Sequence, residues 1–138
     1  MKVKSDKINF RSTCPVSSAL DLFGDKWSLL IVRDIVYFGK RTFKDFADAE
    51  EGISTARLAD RLKKLESIGV INKSDHPTNK KVYYYDLTQK GLDLFPIVAD
   101  YILWSDKYLP SHISDQAKQF AQMLRSNREG TLNQFMNA

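Results

Sequence analysis

The chain has 138 residues, with 21 Lys+Arg against 17 Asp+Glu and a formal charge of +4. That length fits one domain, or a small domain with appended helices, and excludes a large two-domain enzyme. With 43% hydrophobic and 28% charged residues the composition is that of an ordinary folded protein, so disorder is excluded, and the single Cys excludes an internal disulfide framework or a multi-cysteine zinc site.

The cysteine usage points to a reducing, cytoplasmic setting. The opening MKVKSDKINFRS has four basic residues and no apolar run behind them, so no signal peptide is expected. The longest apolar stretch, Leu94 to Ala99, is far shorter than the ~20 residues a bilayer crossing needs, and no membrane partner is expected. The positive charge is focused. Ser54 to Lys64 carries a local +3 and Lys73 to Lys81 a further +2, so the rest of the chain is slightly acidic.

In chain order, Val16, Ala19, Leu20 and Phe23 have the spacing of a helix with one buried face, opened by Pro15 and closed by Gly24. Asp25 can cap a second helix, along which Trp27, Leu30, Ile31, Ile35 and Phe38 recur at helical steps until Gly39. Thr42 opens a short third helix with Phe43, Phe46 and Ala47 inward, reaching Glu51-Gly52. Ser54 caps a fourth, where Leu58, Leu62, Leu65 and Ile68 draw a narrow apolar stripe on a polar cylinder, ended by Gly69. Val70 to Ser74 and Lys81 to Leu87 read as strands of a hairpin closed by His76-Pro77-Thr78-Asn79-Lys80. Two of the tyrosines Tyr83, Tyr84 and Tyr85 are expected to face the core. Thr88 caps a longer helix with Leu92, Phe95, Val98, Ala99 and Ile102 on one side, and Pro96 is expected to kink it or to sit in an early turn. Ser114 caps a last helix carrying Ala117, Phe120, Ala121 and Leu124, and the tail beyond Asn127 is expected to fray.

A short helix, a tight turn, a Ser-capped basic helix and a two-stranded hairpin make a winged helix-turn-helix. The expected fold is mainly α (α+β), with the hairpin as wing and additional terminal helices forming a dimer interface. The chain is read as one winged-helix domain over 1–138: a DNA-binding core at 14–91, dimerisation segments at 1–13 and 92–127, and a flexible tail at 128–138.

On the fourth helix Arg57, Asp60, Arg61 and Lys64 fall together on the outer flank, and Thr55 and Ala56 sit at the N-terminal tip. In such motifs that tip enters the major groove. Arginine donates in a bidentate manner to guanine or phosphate, and the capped terminus offers backbone N–H groups to a phosphate. The candidate DNA-binding residues are therefore Ser54, Thr55, Arg57, Arg61 and Lys64, with His76, Asn79, Lys80 and Lys81 from the wing. A solvated amphipathic helix would show the same charges. Asp60 would repel phosphate unless it pairs with Arg57 or Lys64 or accepts from cytosine N4.

The order of motifs resembles the HxlR-type transcriptional regulators, winged-helix relatives of the MarR group. The resemblance rests on Cys14-Pro15-Val16, Leu20 through Gly24-Asp25-Lys26-Trp27 to Ile31, Phe43-Lys44-Asp45-Phe46 and Gly52-Ile53-Ser54. It continues in Leu62-Lys63-Lys64-Leu65-Glu66, Ile68-Gly69-Val70-Ile71 and Tyr85-Asp86-Leu87-Thr88-Gln89-Lys90-Gly91, and spans about Cys14 to Trp104. It implies a homodimeric bacterial regulator that binds double-stranded DNA, each recognition helix entering one half-site of a near-palindromic operator. Val82 departs from the family, where that position is often basic.

A thiol just before a helix N-terminus has its thiolate favoured by the dipole, and Arg11 lies near. The resemblance implies a sensor of oxidants or electrophiles at this position in some members, so Cys14 is the redox-sensing candidate, against the reading of an inert thiol. A disulfide would have to join two subunits or a small thiol. A small-molecule effector is the other regulatory expectation. His76 and His112 lack neighbours at ligand spacing, so no metal site and no cofactor are expected. The dispersed glycines exclude the dinucleotide fingerprint and the P-loop, no nucleophile elbow exists, and no catalytic residue is named. Leu94, Ile97, Tyr101, Trp104 and Tyr108 form a second apolar line, which suits a two-fold dimer with the first and last helices and residues near Ile8 and Phe10. The alternative is a winged-helix protein-interaction module.

Overall fold

The computed structural model describes residues 8–137. The chain divides into two compact units, one up to Leu92 and one from Asp93. Residues 1–7 of the expected dimerisation segment lie outside the described residues.

In the first unit α1 (Pro15–Phe23) precedes α2 (Ser28–Val36), α3 (Phe43–Ala47) and α4 (Thr55–Ser67), and β1 (Ile71–Asp75) pairs antiparallel with β2 (Tyr83–Leu87) before the single turn of α5 (Gln89–Leu92). Ile71 stands opposite Leu87 and Asp75 opposite Tyr83. Thr42 caps α3 through a reciprocal box with Asp45, in which each residue's side chain accepts the other's N–H at 3.2 Å. Leu58, Leu62 and Leu65 of α4 are 0–3% exposed, and Phe46, Ile31 and Val32 of the same unit are buried as well. Burying each leucine is worth about 1.5–3 kcal/mol, which is what fixes the roll of α4 about its axis. The turn into α4 passes through Gly52 at φ +71°, a left-handed conformation that disfavours a side chain. A Cβ on Gly91 would lie 2.2 Å from the Val70 carbonyl oxygen, so only glycine lets α5 sit on the strand backbone.

The first helix has no buried residue, and Val16 is 66% and Leu20 50% exposed, because the apolar face its spacing creates is left uncovered in the single chain. The second helix ends at Val36, so Phe38 falls beyond it and lies half exposed between Arg33 and Lys40. The third stops at Ala47, four residues short of Glu51, since Asp48 to Ile53 make the turn. Only Tyr85 of the three wing tyrosines is buried, edge-on to Phe46, because Tyr83 lies further out toward the wing tip.

The second unit contains α6 (Phe95–Tyr108), α7 (Asp115–Ser126) and α8 (Arg128–Met136). The long helix expected after Thr88 is broken: Thr88 caps α5, with its Oγ1 accepting from Gly91 N–H, and Pro96 sits in the first turn of α6. Proline there removes an N–H that has no helical partner anyway. Phe95, Phe120 and Phe135 form the core, with ring centroids 5.2–6.2 Å apart. The tail expected to fray is helical instead. Asn127 caps α8, Thr131 donates to the Met123 carbonyl at 3.0 Å, and Phe135 joins the aromatic cluster, so burial offsets the poor helix propensity of the segment.

Among the described residues no helix is long and apolar enough to cross a membrane, and no cluster of side chains suits a metal ion.

Candidate nucleic-acid interface

Ser54 opens α4 with an extended backbone, and its Oγ accepts the Arg57 N–H at 3.2 Å. That leaves the first N–H groups of a thirteen-residue helix pointing outward. Around this tip Thr55, Ala56 and Arg57 are exposed, and the Arg57 guanidinium has no partner among the described residues. One turn on, Asp60 and Lys63 are exposed on the side opposite the leucine stripe. Lys63 is absent from the sequence-based candidates, although its position 140° round from Leu58 at 100° per residue already marks it as outward.

Arg61 and Lys64 behave differently. Both are half-buried and turn toward the body of the unit. The Arg61 guanidinium donates to Asp60 at 2.6 Å and lies 3.4 Å from Asp25, while the Lys64 ammonium donates to the Asp21 backbone carbonyl at 3.3 Å. Asp60 therefore pairs with neither Arg57 nor Lys64, the partners expected for it. The hydrogen bond from Arg61 holds the Asp60 carboxyl below its ordinary range. Asp25 is the hub of the Gly24-Asp25-Lys26-Trp27-Ser28 turn, accepting from Ser28 Oγ at 2.6 Å and from the N–H groups of Trp27 and Ser28 at 3.0 Å each. Burial pushes this carboxyl up, but those hydrogen bonds and the Arg61 charge outweigh it, so it too ends below its ordinary range.

In the wing, His76 Nδ1 accepts from the N–H groups of Thr78 and Asn79, at 3.2 and 3.1 Å, and Asn79 Oδ1 accepts from Lys81 N–H at 3.0 Å. These two candidates are occupied in building the turn. Lys80 and Lys81 are exposed cations without a side-chain partner among the described residues. Arg41 stacks on Tyr84, 3.9 Å from its ring centroid, and forks onto Asp86 with two bonds of 3.0 Å. Sequence reasoning missed Arg41, because its two partners lie more than forty residues away.

Cys14 is exposed at the N-cap of α1. The Ser17 and Val16 N–H groups at the start of α1 favour the thiolate and lower its thiol below the ordinary 9.0, although the side chain makes no capping hydrogen bond. Arg11 is directed elsewhere, to Asp21 of α1.

The sequence model of the HxlR-like helix-turn-helix family matches residues 22–113. An HTH-type transcriptional regulator of Mycobacterium tuberculosis is 36% identical over 95 residues, 69% of this chain and 59% of the relative, so the match spans about three fifths of that protein's length. Among solved structures, the reduced form of the transcriptional regulator YodB from Bacillus subtilis superposes with a TM-score of 0.56 at 31% identity, covering 70% of this chain and 95% of that one. The redox regulator HypR in its oxidised form superposes with a TM-score of 0.60 at 28% identity, covering 68% and 96%. Family match, element order and wing agree, and the chain belongs to the HxlR-like helix-turn-helix family.

Proposed function

We propose that this chain is a cytoplasmic, sequence-specific DNA-binding regulator of transcription, a binding protein and not an enzyme, that engages a near-palindromic operator as a homodimer. The observation that carries the reading is the uncommitted outward face of α4. Thr55, Ala56, Arg57 and Lys63 lie open there, while Lys80 and Lys81 extend the positive charge along the wing. Ser54, Thr55 and Arg57 address base edges or nearby phosphates, and Lys63, Lys80 and Lys81 position the backbone. Arg61 and Lys64 fix the helix, and His76 and Asn79 shape the wing.

Dimerisation is supported by apolar surface that one chain leaves open. On α6, Ile97, Tyr101, Trp104 and Tyr108 follow steps of 4, 3 and 4, and the last three are 58–61% exposed. That is the spacing of a helix–helix seam. Leu94, expected on this line, is buried instead. In the first unit Phe10, Val16 and Leu20 are likewise exposed. Two copies place two recognition helices on successive turns of one DNA face, about 10 base pairs apart. Footprinting of a selected operator, with sedimentation of the free protein, tests this. Two protected half-sites at that spacing and a species of twice 15.9 kDa are expected; a monomer protecting one half-site contradicts it.

Regulation through Cys14 is supported by its exposure and lowered thiol pKa, and one relative, HypR, solved in oxidised and reduced forms, is named a redox regulator. With a single cysteine in the chain, any disulfide formed on oxidation joins a second subunit or a small thiol. A ligand at the dimer interface is the other route to control.

A further inference from the structure

Along the outward side of α4, Ala56, Asp60 and Lys63 follow one another at steps of 4 and 3, all exposed. A small residue and a cation there suit a polyanion. A carboxylate does not, since it faces phosphates whose repulsion weakens binding. Yet Asp60 is the best-supported side chain of the three. Its Oδ2 accepts from Arg61 Nη2 at 2.6 Å, Arg61 lies 3.4 Å from Asp25, and Asp25 is fixed by Ser28 and the Trp27 N–H. Asp25 and Arg61 are mostly covered, at 23% and 21% exposed, whereas Asp60 is 67% exposed. A carboxylate on the α1–α2 turn thus holds a guanidinium, which in turn aims a second carboxylate out of the recognition helix. Oδ1 of Asp60 is left without a donor among the described residues.

An aimed acceptor with one open oxygen matches a base edge that presents an amino group. In the major groove those edges are cytosine, through N4–H, and adenine, through N6–H; on adenine the neighbouring N7 is an acceptor that repels a carboxylate. Arg61 neutralises the charge that would otherwise oppose the phosphates. We propose that Asp60 selects a cytosine in each half-site by accepting from its N4–H, with Arg61 and Asp25 as positioning residues. This inference rests on the DNA-binding reading given above.

The test is enrichment of bound duplexes from a random pool by the full chain and its D60N and R61M variants. Wild type is expected to enrich an operator with one cytosine per half-site favoured by about tenfold or more. In D60N that preference vanishes or passes to adenine, whose N6 and N7 suit an amide, while the other positions keep theirs. R61M, which frees Asp60 from its support, weakens the preference at the same position and leaves the rest. An operator unchanged at every position in D60N overturns the inference and leaves DNA binding standing. A wild-type chain that enriches nothing removes both.

Discussion

The Lys64 ammonium donates to the backbone carbonyl of Asp21 at 3.3 Å, so a cation of α4 is tied to the C-terminal part of α1 rather than presented to solvent. Lys63, one residue earlier, is exposed and unpartnered among the described residues. Adjacent lysines of the same charge therefore have different work. In a titration of duplex affinity against salt, Lys63→Ala is expected to reduce the slope of log K on log salt by about 1, the loss of one phosphate contact. Lys64→Ala is expected to change the slope by less than half as much and to lower the melting temperature. Equal slope changes would mean that Lys64 leaves Asp21 when DNA binds.

Arg57 stands at the helix tip with its guanidinium uncommitted, and Lys81 stands in the wing. Arg57→Ala is expected to cost about 1–3 kcal/mol on the operator and to relax base preference. Lys81→Ala is expected to weaken operator and random duplex alike. Competition binding with both DNAs separates the two effects, and a uniform loss from Arg57→Ala would remove its base-reading role.

Leu58 is fully buried on the inner face of α4. Leu58→Ala is expected to destabilise the first unit by about 2–5 kcal/mol, measured by urea unfolding. Gly91→Ala places a Cβ against the Val70 carbonyl and should also destabilise, by about 1–3 kcal/mol. A neutral result at Gly91 would mean that α5 shifts freely off the strand.

Asp25 is a carboxylate whose folded pKa lies below its ordinary 3.8, with burial opposed and outweighed by the Ser28 and Trp27 hydrogen bonds and the Arg61 charge. The stabilisation it provides is fully present above that ordinary value and is lost as pH falls through the lower folded one. Melting temperature recorded between pH 5 and about 2 should therefore fall less steeply for Asp25→Asn than for the native chain, from a lower starting point at neutral pH. Parallel curves would contradict the role of this turn.

The Cys14 thiol, exposed and favoured as thiolate by the Ser17 and Val16 N–H groups, should react with iodoacetamide with a midpoint below pH 9.0. Unfolding in urea should return the midpoint to the ordinary value. An unchanged midpoint would leave the thiol without activation by the helix terminus.

Much of this architecture was legible in residue order because each local signal had one physical outcome. Ser54, Thr42 and Ser114 cap the helices expected of them, and the leucines of α4 bury the stripe their spacing draws. What the periodicity of α1 could not reveal is whether its apolar face has anything to meet, since Val16 and Leu20 stay exposed in one chain. The site divides along the same line. Arg57 follows from its position at the tip. The diversion of Arg61 and Lys64 depends on Asp25 and the Asp21 carbonyl, roughly forty residues distant in sequence, and no helical wheel contains them. His76 and Asn79 have a second task that residue order did not show, since backbone N–H groups of their own turn take the His76 Nδ1 and Asn79 Oδ1 acceptors, while the N–H donors that would suit a phosphate are not used by those bonds.

Affinity for duplex DNA over a range of ionic strength measures most directly whether the outward face of α4 and the wing meet a polyanionic groove. The prediction is tight binding at low salt that weakens linearly in log K against log salt, with a slope reporting several displaced counterions. A chain that leaves duplexes unbound at low ionic strength, or binds them with no dependence on salt, would contradict it.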